Sequence, residues 1–144
     1  MTTPATLYDE MGGGPVVVAV AHAWHERVVD DEVVGHAFAH GFRADHTERL
    51  AAYWAEVLGG PATYSASMGE ETEVVRMHSG NGEHDEMDRR AVAAFALALA
   101  DAGVPVHLHE RLVTWFREAN EHVNHRWPTP AQVPEGLPMP VVST

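Results

Sequence analysis

An all-α domain is the fold this sequence predicts, and three observations predict it. Nowhere is there the sustained alternation of apolar and polar residues, with a period of two, that a half-buried strand requires. Four segments of helical length instead repeat apolar residues at helical spacing. Glycine and proline mark the joints, at Gly12-Gly13-Gly14-Pro15, Gly59-Gly60-Pro61, Gly80-Asn81-Gly82 and Gly103-Val104-Pro105.

The first segment, residues 15–30, is locally ambiguous. Val16-Val17-Val18 suggests a strand, but Val17, Val20, Trp24 and Val28 fall on one helical face and Pro15 suits a first helical turn, so a helix is expected. In residues 45–58, Asp45 followed by Glu48 predicts a capping box, and Leu50, Tyr53, Trp54 and Val57 form the apolar stripe. Residues 86–102 align Val92, Phe95, Ala96 and Leu99, with Gly103 as the C-terminal cap. A last helix is expected to start at Pro105 and run to about residue 125, facing inward with Leu108, Leu112, Phe116, Ala119 and Val123. After Trp127, five prolines fall within 13 residues and forbid a helix. That divides the chain into a body, 1–127, and a tail, 128–144, which lies loose on the surface or docks through Val133, Leu137 or Met139.

At 144 residues, 45% of them hydrophobic and 21% charged, the chain makes one domain with a core that needs no staples. Absence of cysteine excludes disulfides, thiolate metal sites and cysteine nucleophiles. No apolar run reaches the roughly 20 residues of a membrane span, and no leader pattern opens the sequence, so a cytoplasmic protein is expected. A formal charge of −12, without an arginine cluster, speaks against nucleic acid and anionic membrane as partners.

Eleven histidines are the compositional oddity, because imidazole is the usual neutral metal ligand and the near-neutral proton carrier. His22/His25, His36/His40 and His122/His125 would each share a helix face, but no HExxH pattern or third carboxylate makes any pair a zinc site. His78 differs. It closes a short hydrophobic turn, Val74-Val75-Arg76-Met77-His78, followed by the glycine-rich Ser79-Gly80-Asn81-Gly82, and it lies between two amphipathic helices.

Here the sequence resembles the truncated, two-over-two haemoglobins, through five motifs in register over residues 5 to about 126. Leu7-Tyr8-Asp9-Glu10-Met11-Gly12-Gly13 is similar to the shortened first helix. Asp30-Asp31-Glu32-Val33 followed by Phe38 resembles the turn carrying the ring that packs on haem. Leu58-Gly59-Gly60-Pro61 with Thr63-Tyr64-Ser65 resembles the loop after the distal helix, Met77-His78-Ser79-Gly80-Asn81-Gly82 the proximal segment, and Asp101-Ala102-Gly103-Val104-Pro105 the last interhelical turn. The pattern is group II-like with some group I-like features.

The resemblance implies a globin sandwich with a shortened first helix in residues 1–127, holding haem b. His78 would be the proximal ligand to iron. Phe38 would pack on the haem face, Leu50 over the distal side, and Met77, Trp24, Tyr53 and Val92 would line the pocket. His46, one turn before Leu50, falls at the distal gate, and His25 at the second-helix position where relatives usually carry a tyrosine. Both imidazoles would act on the sixth coordination site, His46 as donor to the ligand or as iron ligand itself. Ala91, or Val92, stands where many group II relatives place a tryptophan. The implied partners are O2, NO or CO and a redox partner, with haem-dependent dioxygenase, peroxidase or nitrite reductase chemistry as the enzymatic options, in a monomer or homodimer. Independently of the resemblance, the proline density of residues 128–144, which leaves few backbone hydrogen bonds, makes the tail expected to be dispensable for haem binding. Two other readings stay open: a globin-fold sensor or interaction module in which haem is a signal or absent, and a histidine-rich metal-binding helical protein.

Overall fold

The computed structural model describes residues 5–38, 41, 43–79 and 85–142. Its helices, in chain order, are α1 (Leu7–Met11), α2 (Gly14–Asp30), α3 (His46–Val57), α4 (Thr63–Ser67), α5 (Glu71–His78), α6 (Asp85–Asp101) and α7 (His109–His125). A 3-10 turn, Val34–Phe38, follows α2. No strand occurs among the described residues. The Ser79-Gly80-Asn81-Gly82 release after His78 lies outside them beyond Ser79, as does His40.

The main helices form two layers. α2 packs across α3 and α6, and α6 lies against α7. α2 follows its helical period, not its valine triplet, because that register buries Val17, Val20, Ala21 and Val28 together. On α6, Ala91, Phe95, Ala98 and Leu99 are buried, and the alanines let α2 approach closely. An aromatic seam fills the centre. Phe95 stacks on Phe116 at 4.3 Å between centroids, Trp54 meets Phe95 edge-on at 5.5 Å, and Trp24 meets Trp54 at 5.6 Å.

Local chemistry sets the joints. Thr6 and Asp9 form the capping box of α1, the side chain of each meeting the other's backbone N–H. Gly59 takes φ 101°, where an added Cβ would meet Thr6 Cβ at 2.6 Å, so this turn both reverses and seats α1. Buried Glu56 then caps α4, accepting from the Ser65 N–H at 2.8 Å and its hydroxyl at 2.6 Å. At the end of α6, Gly103 takes φ 74° and the Val104 N–H reaches back to the Leu99 carbonyl at 3.0 Å.

Two expected helix starts differ. Asp45 precedes α3 without capping it; Arg43 Nε holds the Asp45 carboxylate at 2.9 Å instead. Pro105 begins a 3-10 turn, Val106–Leu108, and α7 proper starts at His109.

The tail is docked. Val133 is 2% exposed, and Met139 and Val142 pack against the core. Thr72 on α5 donates its hydroxyl to the Pro134 carbonyl at 3.0 Å and accepts the Leu137 N–H at 3.1 Å. Arg76, one turn later, donates to the Val133 carbonyl at 3.0 Å and pairs with Glu135 at 2.8 Å. Beyond, the Val142 N–H donates to the Val57 carbonyl at 2.8 Å.

Candidate functional site

The end of α2, the 3-10 turn and the start of α3 bring three rings together. His25 and His46 lie 5.0 Å apart between centroids, and Phe38 stands edge-on to His25 at 5.4 Å and to His46 at 5.5 Å. The turn that delivers Phe38 is fixed by Asp31, whose Oδ1 accepts the N–H groups of Val33 at 2.8 Å and Val34 at 3.0 Å. Hydrogen bonding to those amides lowers the Asp31 pKa, which keeps it charged and holds the turn.

A third imidazole comes from α5. His78 Nδ1 lies 2.7 Å from the Val74 carbonyl. A carbonyl only accepts, so the proton sits on Nδ1 and the lone pair on Nε2. That is the tautomer a metal-ligating imidazole needs, its other nitrogen tied to the backbone. His78 is exposed at the surface, and desolvation by the surrounding chain lowers its pKa while the Val74 contact opposes this.

Desolvation also lowers the pKa of His46, reinforced by the charges that His25 and His78 would carry, and that of His25, reinforced by His22. Three imidazoles close enough to repel one another are therefore held neutral near pH 7. Neutral imidazoles beside a Phe ring form a donor set suited to haem: one ligand with a fixed tautomer and two groups able to donate a hydrogen bond or coordinate.

The remaining expected site residues lie on α2, α3, α5 and α6. Leu50 and Val92 are half-buried against the core. Trp24 turns into the aromatic seam and donates its indole N–H to the Ala91 carbonyl at 3.0 Å. Met77 is 69% exposed.

Tyr53 donates its hydroxyl to Glu71 Oε1 at 2.6 Å, and the other oxygen of Glu71 lies 3.6 Å from His122 Nε2. Glu71 is 1% exposed. Burial raises the Glu71 pKa and lowers that of His122, driving each toward its neutral form. The same helix's His125 turns instead to Asp88, at 2.6 Å, so the expected His122/His125 pair faces two different carboxylates. Glu71, Thr72 and Arg76 carry no local signal of these roles, since their partners lie 18 to 65 residues away.

Comparison with known proteins places these observations in a family. A family model described as bacterial-like globin matches residues 6–125. A group 1 truncated haemoglobin of Synechocystis is 34% identical over 107 residues, 72% of this chain and 83% of that one. Among solved structures, a haemoglobin of the thermophilic phototroph Chloroflexus aurantiacus superposes with a TM-score of 0.73 at 23% identity, covering 85% of this chain and 100% of that one. A group II truncated haemoglobin of Bacillus anthracis gives 0.75 at 16%, covering 86% and 94%. The two structural matches bear on the fold alone, and they agree with the two-layer arrangement.

Proposed function

Because the chain belongs to the bacterial-like globin family, within the truncated haemoglobins, we propose that it binds one haem b through His78 and takes up O2, NO or CO on the side where His46 and His25 stand. The observation that carries this reading is the His78 tautomer fixed by Val74, within the segment matched by the family. The attachment would be non-covalent with respect to thiols, because the chain has no cysteine.

When bound, haem supplies a redox-active iron that coordinates diatomic ligands. The chain's own residues do the rest. His78 would hold the group through Nε2, with the Val74 carbonyl tying its ring against rotation. Phe38 presents an apolar face that excludes water. His46 and His25 are neutral near pH 7, so each donates a hydrogen bond from one nitrogen while keeping a lone pair on the other. Imidazole also exchanges protons closer to neutral pH than a phenol does, whose pKa is about 10. This distal chemistry suits small-molecule redox reactions, of NO, nitrite or peroxide, as well as reversible binding.

Replacement of His78 by Gly is expected to abolish the normal Soret band and haem stoichiometry, with recovery on added imidazole. A His78→Gly protein with unchanged haem content would refute the ligand assignment. On the other side, His46→Leu, His25→Phe and the double variant are expected to alter the ferric spectrum and the O2 and CO dissociation rates, His46→Leu the more. Identical spectra and rates in all three would remove both imidazoles from the site.

A further inference from the structure

The helix that carries His78 is eight residues long, too short to hold its place by its own hydrogen bonds. Its position is set by what touches it. Val74 and Val75 are buried beneath it, and the face bearing Thr72 and Arg76, four residues apart, is crossed by the C-terminal tail. Thr72 is 1% exposed, and both hydrogen-bonding capacities of its hydroxyl are met by tail backbone, the Pro134 carbonyl and the Leu137 N–H. Arg76 adds the Val133 carbonyl and Glu135. Farther along, Val142 ties the tail to Val57, the last residue of α3. The tail thus runs from α7 across α5 to the end of the helix that begins with His46.

We infer that residues 128–142 form a strap that sets the placement and rotation of α5, with Thr72 and Arg76 as positioning residues for the His78 imidazole. The argument is one of direction. Val74 and Val75 fix how deep α5 sits, but their apolar contacts discriminate less sharply among small rotations than hydrogen bonds do. Hydrogen bonds fail within a few tenths of an ångström and a few tens of degrees. A buried hydroxyl donating to one tail carbonyl and accepting from a second tail residue's amide therefore selects one rotation of α5. The Val74 carbonyl that aims His78 turns with the helix. The consequence for iron rests on the proposal that His78 is the haem ligand; the strap itself does not.

The test uses full-length Thr72→Val, Arg76→Ala and the double variant, with Arg89→Ala, which breaks an exposed pair with Glu86 on α6, as control. Amide hydrogen exchange is measured on the haem-free proteins. Loss of these four hydrogen bonds in the double variant should speed exchange of the α5 amides at least about tenfold, with α6 amides unchanged. In the ferrous holoproteins the iron–histidine stretching band should shift or broaden while haem stoichiometry stays at one per chain. The control should do neither. Equal acceleration in α5 and α6 would make the strap a general stabiliser and overturn the inference, as would an unmoved stretching band in a protein whose α5 exchange has risen. If the wild-type chain bound no haem, the proposed function would fall while the exchange data still decided whether the strap holds α5.

Discussion

Two parts of this molecule are held together by different physics. The α2–α3–α6–α7 body closes on alanines, valines and a seam of aromatic rings, with Phe95 stacked on Phe116 and Trp54 set edge-on between the layers. By contrast, α5 rests on two buried valines and is oriented by a short list of polar contacts: Tyr53 to Glu71, Glu71 beside His122, and Thr72 and Arg76 to the tail. The first kind of contact is strong and indifferent to small rotations. The second is weaker in sum and selective for one geometry. A protein that must present an imidazole at a fixed angle has reason to put it on the second kind of support.

The comparison breaks most visibly in the body. Phe95 is 1% exposed, and Phe95→Ala should cost about 3–5 kcal/mol, read as a large drop in the thermal midpoint. A loss below about 1 kcal/mol would mean that the seam is not the main apolar support. A smaller effect belongs to α5. Tyr53→Phe keeps the ring but removes the hydroxyl donor of a buried carboxylate, and should destabilise by about 1–3 kcal/mol. Because that donor holds the Glu71 pKa down against desolvation, the variant should also raise the Glu71 pKa further, measurable by carboxyl NMR titration. An unchanged titration would show that the 2.6 Å contact does not persist in solution.

The smallest effect sharpens the contrast through pH. Burial raises the Glu71 pKa above its ordinary 4.5, so between those two values the folded chain binds more protons than the unfolded one. The stability from Glu71 is then fully present below 4.5 and lost as pH rises through the raised value. Glu71→Gln cannot titrate and retains an acceptor for Tyr53. Subtracting its denaturation midpoints from those of wild type across pH 4 to 8 should therefore give a difference that moves in favour of the variant as pH rises. A flat difference would place the Glu71 carboxyl at its ordinary pKa.

Where apolar periodicity was long and uninterrupted, the sequence was enough to read the structure. Residues 45–58 and 86–102 became α3 and α6 within a residue of the expected bounds, because one face of each has a layer to bury against. The nearness of His25, Phe38 and His46 was legible only through the family resemblance, since nothing local relates residues on two helices and a turn. Asp45 shows a limit of another kind. As a cap it competed with Arg43, and a charged hydrogen bond at 2.9 Å took its carboxylate. Tail prolines state which structures are forbidden but not where a chain lies, so the contacts on Thr72 and Arg76 were invisible. Nor did Glu71 stand out among the 21 acidic residues, because burial of a carboxylate is decided by partners far along the chain.

The strap also has a consequence in time. Thr72 and Pro134 are separated by 62 positions, so during synthesis α5 leaves the ribosome well before the residues that pin it. At about 5–20 residues per second, several seconds pass in which α5 has its sequence but not its second wall. For that interval α5 lacks the tail contacts that fix its rotation, and a haem captured through His78, as proposed above, would meet an unaligned imidazole. Capture after the strap closes would meet an aligned one.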